Sequence, residues 1–400
     1  MEIKFGFRHN LIYLLMLIIF NFCRKVDLIV MDRLLKFETS LLVTLLMFVG
    51  EFIGGLILSC YQNSFLNKKE NDYFMGIKLI KGPSDISHPD NIFKIFLLLL
   101  MASFFDFLEF IMTTYYIPKF NGISKTLEMR TSSILIISSA LFFYFLLKLE
   151  IFKHQKFSLF IILICLIIII IIEYFYQIYH QDKNLKEFGF ILLLIFLIHF
   201  FNSLLDSIEK YLLEYDFLNP FKTLMIEGLF GTIFTSIYSI IVNPFQEIYQ
   251  YYKEKDKQSF IILIICLGLY IFLSGGRNAY RVATNKIYSP MTKSLTDYIL
   301  NPLFIVYYFI FENDFCIKEE KKIIFFILNV FLSIIIVISG LIYNELLILV
   351  CYGLDRDTHR EVSERASNHC ELFNYEVKEN ENDLIGEESD DDKSDKSDDS

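Results

Sequence analysis

The chain has 400 residues, 54% of them hydrophobic and 21% charged, with a mean hydropathy of +0.46. A soluble fold cannot hide that much apolar surface, and the apolar residues come in runs long enough to cross a bilayer, so a soluble enzyme, a secreted disulfide scaffold and a nucleic-acid-binding domain are excluded. The formal charge of −10 is local: residues 371–400 hold 13 Asp/Glu and 3 Lys, and the other 370 residues are balanced at 34 acids and 34 bases.

Ten apolar stretches follow one another, at about 11–30, 40–60, 93–116, 126–147, 157–177, 188–207, 223–248, 260–276, 287–311 and 323–352. As helices at about 1.5 Å per residue, such runs cover roughly 30 Å of hydrocarbon. Helices are expected rather than barrel strands, because barrel strands alternate and are shorter. The predicted class is therefore an all-α membrane protein bound by the lipid bilayer. In the first stretch the clean apolar part, Leu11 to Cys23, is followed by Arg24, Lys25 and Asp27. No small-residue cleavage site follows, so it is read as a membrane span with charge in its second half. Lys and Arg are in slight excess in the segments that share the side of the N-terminus if that end is cytosolic, which places both termini in the cytosol.

Charges inside the spans cost about 2.5–3.5 kcal/mol each near a helix centre, so those retained should face a polar interior. The second span carries Val49-Gly50-Glu51-Phe52. The third carries Asp106 and Glu109, three apart and so on one helical face, which suits either a polar pathway or a helix–helix hydrogen bond. The fourth opens with Ser124-Lys125-Thr126-Leu127-Glu128-Met129-Arg130. In the sixth, His199 is expected to be a hydrogen-bonded structural residue, with Asp206 and Glu209 beyond it. The seventh carries Ile226-Glu227-Gly228-Leu229-Phe230, and the ninth opens with Ser289-Pro290-Met291-Thr292-Lys293-Ser294-Leu295-Thr296-Asp297. Lys293 and Asp297, four apart, can pair with each other. Beyond the last span, residues 353–370 are of mixed charge. Residues 371–400 cannot bury enough apolar area to order themselves. They form either a solvated tail or a phosphorylated, partner-binding one, since Ser389 precedes three Asp residues.

The seven cysteines stand alone, at Cys23, Cys60, Cys165, Cys266, Cys316, Cys351 and Cys370, without metal-ligand spacing. HExxH, GxSxG and Walker patterns are missing from the sequence, and no clustered nucleophile or acid–base set can be assembled. Neither an enzyme nor a cofactor or metal is expected.

Ten spans suggest five plus five. Spans two and seven each put a carboxylate beside a glycine. Spans four and nine each open on a hydroxyl-rich turn with a cation. An odd number of spans per repeat makes the halves opposite in orientation, the inverted-repeat plan of many secondary transporters. The expected boundaries are residues 1–180 for the first repeat, 185–352 for the second, and 353–400 for a cytosolic charged tail.

These segments resemble the drug/metabolite transporter superfamily (EamA-like), in particular the F-type branch of solute carrier family 35, relatives of nucleotide-sugar transporters. The likeness rests on Met47-Phe48-Val49-Gly50-Glu51-Phe52, Ala102-Ser103-Phe104-Phe105-Asp106 and Glu128-Met129-Arg130. It continues through Glu209-Lys210-Tyr211, Asn219-Pro220 and Glu227-Gly228-Leu229-Phe230-Gly231, and ends on Thr284-Asn285-Lys286, Ser289, Thr292-Lys293 and Asp297. It spans roughly residues 10–350. The resemblance implies two inverted five-helix repeats around a cavity that opens alternately to each side, an endomembrane location, and movement of a small polar or anionic metabolite. On that plan Arg130 and Lys293 are expected to hold a phosphate or carboxylate, helped by a helix N-terminus, with Asp106 and Asp297 beside them. Glu51, Asp106, Glu227 and Asp297 are expected to balance those cations in the empty state or carry a coupling proton, and Glu109 and Lys286 to line the cavity or take part in coupling. A nucleotide-sugar antiporter is the narrower alternative. A membrane adaptor that uses the charged tail belongs to another class. A protein partner for the tail and a second copy of the chain are the macromolecular partners left open.

Overall fold

The computed structural model describes residues 2–5, 11–37, 41–66, 73–74, 77–78, 89–117, 123–147, 151–181, 185–214, 216, 218–288, 290–311, 319–350, 353–356, 358 and 361. The acidic tail, 371–400, and three of the cysteines (Cys316, Cys351 and Cys370) lie outside the described residues.

Helices α1 (Leu11–Ile29), α2 (Leu41–Leu66), α3 (Pro89–Ile111), α4 (Ile123–Thr131), α5 (Ile134–Leu147) and α6 (Lys153–Gln181) make up the first half. Helices α7 (Leu185–Glu214), α8 (Pro220–Val242), α9 (Phe245–Glu254), α10 (Lys257–Ile287), α11 (Pro290–Tyr298), α12 (Asn301–Phe311) and α13 (Glu319–Tyr343) make up the second. Among the described residues, eight helical segments are long and apolar enough to cross a membrane. They correspond to nine of these helices, because α11 and α12 form a single segment, Pro290–Phe311. Of the ten spans expected, two fall short of that measure. The first carries Arg24, Lys25 and Asp27. The fourth is broken into α4 and the 14-residue α5.

Polarity is distributed as in a membrane-embedded bundle. Ile240, Ile241, Ile265 and Phe272 stand outward and exposed, whereas Glu51, Asp206, Glu209, Glu227, Arg281 and Lys293 are buried inside. Water would reverse that order; hydrocarbon around the bundle explains it. The protein is a multi-pass integral membrane protein.

Local chemistry sets the helix ends. Pro220 opens α8 behind Asn219, whose side-chain oxygen accepts from the backbone N–H of Phe221 (2.9 Å) and Lys222 (3.3 Å). The helix stops at Asn243, which is left-handed (φ 49°) and precedes Pro244. The expected seventh span, 223–248, therefore ends early, and a separate amphipathic helix, α9, follows. The eighth span runs the other way. Its apolar run ends at Gly276, yet α10 continues to Ile287 through Arg277, Asn278, Arg281 and Asn285.

The last expected span, 323–352, is also shortened. Helix α13 ends at Tyr343, and the chain then forms a strand, Leu347–Val350, which pairs antiparallel with the N-terminal strand Glu2–Phe5. We number these β4 and β1; a second antiparallel pair joins β2 (Tyr73–Phe74) and β3 (Ile77–Lys78). Pairing of Glu2 with Val350 brings the two ends of the helical body to the same place.

Helix α2 packs most extensively on α8 and next on α10. Glycines permit this approach. A Cβ at Gly275 would sit 2.5 Å from the Gly50 carbonyl oxygen, and one at Gly228 would meet the Phe52 backbone N. The other main pairings are α1 with α10, α3 with α7 and α8, α5 with α7, and α6 with α13. The break between α4 and α5 faces the break between α11 and α12. Asn301 at the second break donates to the Met129 carbonyl (3.0 Å) and the Ser132 hydroxyl (2.5 Å) at the first. At the first break the Met129 carbonyl thus finds a polar partner in the bundle interior.

Candidate functional site

Helices α1, α3, α4, α7, α10, α11 and α12 line a cavity of about 300 Å³. Its wall carries Asp106 and Glu109 from α3, Glu128 from α4, His199 and Asn202 from α7, Arg277 and Arg281 from α10, and Lys293 and Asp297 from α11. Helix α1 adds Asn21, Arg24 and Lys25.

The polar face of α10 organises this wall. Arg277, Arg281 and Asn285 recur every four residues and so project from one side of the helix. Arg277 Nη2 lies 3.2 Å from Asp297 Oδ2, and its Nη1 donates to Asn278 Oδ1 at 2.7 Å. Asn278 in turn donates to Glu51 Oε1. Arg281 gathers three acids: Glu209 at 2.7 Å, Glu227 at 3.5 Å and Asp206 at 3.9 Å. Asn285 donates to Glu209 Oε2 at 2.6 Å and to Asp206 Oδ1 at 3.3 Å. Lys293 completes the network, donating to Asn202 Oδ1 (2.9 Å) and Asp206 Oδ2 (3.0 Å) and lying 3.5 Å from Asp297. Asp297 also accepts from Asn21 at 3.0 Å. The pairing of Lys293 with Asp297 is present as expected, with Asp206 added as a second acid.

The residues singled out in the sequence fall into three groups. Asp106, Glu109, Lys293 and Asp297 come together on the cavity wall. Glu51 and Glu227 join the same network from α2 and α8, behind the wall. Arg130 and Lys286 stand apart. Arg130 is buried and forms a 2.5 Å pair with Glu173 of α6, and it is not among the cavity-lining residues. The expected anion clamp of Arg130 with Lys293 is therefore not assembled: the first cation is spent on a helix–helix contact with α6. Lys286 lies at the end of α10, where its backbone carbonyl accepts from Lys210 Nζ at 3.2 Å. His199 also departs from expectation. Among the described residues neither ring nitrogen has a hydrogen-bond partner, and the ring faces the cavity.

Five buried or cavity-lining charges have no assigned role in the sequence reading: Arg24, Lys25, Glu173, Arg277 and Arg281. Arg277 and Arg281 follow the last apolar residue of their span and look like a loop unless their four-residue spacing is noticed. Glu173 follows six consecutive isoleucines, so a lone acid in that run was the available signal. Arg24 and Lys25 were visible as charges but without a role. Among the described residues, neither has a carboxylate within ion-pair distance, and Lys25 Nζ instead lies 5.0 Å from the centre of the Phe304 ring. No group of three or more His, Cys, Asp or Glu among the described residues has metal-binding geometry. Scanned against protein-family models and searched against curated proteins, the chain finds no match.

Proposed function

We propose that this protein is a secondary transporter that moves a small polar or anionic organic solute across an endomembrane by alternating access. The observation that carries this reading is a charged cavity of roughly 300 Å³ lying between apolar helices. Buried charge in a membrane is expensive, and a route for a polar solute is the common use of it.

The helix pairings support the two-repeat plan. Ten transmembrane units follow if α4 with α5 and α11 with α12 each count as one interrupted span and α9 lies at the membrane surface. Shifting every unit by five then converts the pairing of α1 with α10 into that of α7 with α3, both extensive. It converts α2 with α10 into α8 with α3, and it maps α2–α8 and α6–α13 onto themselves. The two interrupted spans also exchange places. Meeting of β1 with β4 fits an even number of crossings between them. The motif resemblance to the drug/metabolite transporter superfamily supports the same plan. Rocking of one repeat on the other, about the glycine-lined α2–α8 contact, would open the cavity to each side in turn.

Within this reading the solute meets Lys293, Arg277 and the α1 cations Arg24 and Lys25 on part of the wall, and Asp106, Glu109 and Glu128 on the rest. Purified protein is to be screened against a metabolite panel by thermal shift, since a ligand at 100 times its Kd stabilises the folded form by about 2.7 kcal/mol. Stabilising solutes are then tested for uptake into reconstituted vesicles. Uptake that survives deletion of 371–400 and is lost in Lys293→Met is the expected pattern. Stabilising solutes that are never carried would overturn the proposal.

A further inference from the structure

The buried charges around the cavity do not balance. Five carboxylates, those of Glu51, Asp106, Asp206, Glu209 and Glu227, are at most 2% exposed, and Asp297 is 16% exposed at its side chain. Facing these six acids are three buried cations, Arg277, Arg281 and Lys293. Among the less buried charges, Arg24 and Lys25 offset Glu109 and Glu128, and Asp32, which also lines the cavity, lies 3.8 Å from Arg33. The cluster therefore holds three acids more than its cations neutralise. Each uncompensated ion in such a place costs several kcal/mol even after relaxation, so the excess must be met by bound protons or cations.

Hydrogen bonds and close ion pairs together identify the three acids. Asp206 and Asp297 meet donors on both oxygens, and Glu209 accepts from Asn285 on Oε2 while its Oε1, which makes no hydrogen bond, lies 2.7 Å from the Arg281 guanidinium. The other three each keep one buried oxygen without a partner among the described residues: Glu51 Oε2, Asp106 Oδ2 and Glu227 Oε1. An ionised oxygen in that position is unfavourable, and a carboxylic acid is the form that fits it. Glu51 and Glu227 sit behind the wall at the α2–α8 contact. Asp106 alone of the three lines the cavity. The six acids form no chelating group, which favours the proton over a multivalent cation.

We propose that Asp106 is a proton-exchange site, its carboxyl O–H giving a proton to the aqueous phase reached through the cavity and taking one back. The ionised form is then met by the cations that act on this position, Arg281, Arg277 and Lys293, while Glu51 and Asp206 oppose it. Glu109 on the same helix face, Glu209 and His199 on α7, and Glu227 on α8 complete the titratable surroundings. Arg24 and Lys25 on α1 face the same cavity. Asp106 supplies the coupling ion of the transporter proposed above, and only that role rests on the transport reading.

The test is an infrared titration of the purified full-length protein in lipid nanodiscs, following the carbonyl absorption of neutral carboxyl groups as pH rises. Wild type should lose one carboxyl's worth of signal that Asp106→Asn lacks from the start. Asp106→Glu should keep a titrating signal with a displaced midpoint, and Glu109→Gln should leave the Asp106 signal in place. A folded Asp106→Asn protein with the wild-type titration would overturn the proposal. If that variant does not fold, an Asp106→Glu titration superimposable on wild type does so instead. Loss of the wild-type signal on adding sodium at constant pH would also overturn it, by assigning the site to a metal cation. The titration needs no solute, so its failure leaves the transport reading intact, and a failed solute screen leaves the titration intact.

Discussion

Arg130 and Lys293 occupy corresponding places in the two halves, each in the short helix ahead of a break. Their surroundings differ. Arg130 is matched one to one with Glu173 and backed by Asn329, 3.4 Å from the same oxygen, between α4, α6 and α13. Lys293 is shared among Asn202, Asp206 and Asp297 at the edge of the cavity. Two similar broken helices can thus carry unequal chemistry: one cation ties helices together, and the other faces the cavity. The reason lies outside the motif. Glu173 is supplied by α6, and Asp206 by α7.

The largest effect expected from this contrast is on stability in the first half. Glu173→Ala leaves a buried guanidinium without its carboxylate and should cost about 3–5 kcal/mol. The double variant Arg130→Met with Glu173→Leu should recover most of that loss, because the pair is removed together. Thermal unfolding in detergent measures both. A double variant no more stable than Glu173→Ala would show that the pair is not acting as a unit.

In the second half the expected loss is of function. Lys293→Met removes a cation from an acid-rich wall, and solute affinity should fall about tenfold or more, equivalent to about 1.4 kcal/mol. Its loss of folded protein should be smaller than that of Glu173→Ala, because the acids around Lys293 can take up protons from the cavity. Vesicle uptake and the monodisperse yield from the same preparation separate the two quantities. Equal stability losses at the two positions would erase the contrast.

Much of this was legible in the apolar runs. They locate all the long helices, because hydrocarbon demands about 20 apolar residues wherever a helix crosses it. The charged wall was legible only in part. Asp106, Glu109, Lys293 and Asp297 stand inside apolar runs and announce their cost. Arg277 and Arg281 do not, since they fall where the run ends and nothing local tells a polar helix face from a loop. The helix breaks were hidden for a related reason. The breaks fall at Ser132-Ser133 and Ile299-Leu300, which are tolerated in apolar segments, and the partner across the bundle reveals that they are interruptions. Strand β4 was absorbed into the last span because Leu347–Val350 is as apolar as the helix before it.

A smaller effect should follow at the meeting of the two breaks. Asn301→Ala removes the donor to the Met129 carbonyl and the Ser132 hydroxyl, at a cost of about 1 kcal/mol. The carbonyl faces a region that polar groups already line, so the loss should stay well below that of Glu173→Ala. If Asn301→Ala matches Glu173→Ala in the unfolding assay, the breaks rather than the buried pair fix the first half to the second.

The smallest effect lies outside the bilayer, at the start of the helix that carries the polar wall. Asp256 caps α10, accepting from the Ser259 hydroxyl at 2.6 Å and from its backbone N–H at 3.1 Å. Those hydrogen bonds hold its carboxyl below the usual carboxylate range. A lowered value means the ionised form is favoured in the folded state. The cap's contribution is therefore present above the unfolded value of about 3.9 and lost as pH falls through the folded value. The site is exposed, so solvent screens it and the change should be confined to the first turn of α10. Amide hydrogen exchange over 257–260 should quicken in Asp256→Ala at neutral pH. In wild type, the cap should open relative to the variant only under acid conditions. The Arg277–Asp297 contact lies about six turns further along the helix, so transport should be unchanged in that variant. A transport defect in Asp256→Ala would mean that the outer turn of α10 and the charged wall move as one body.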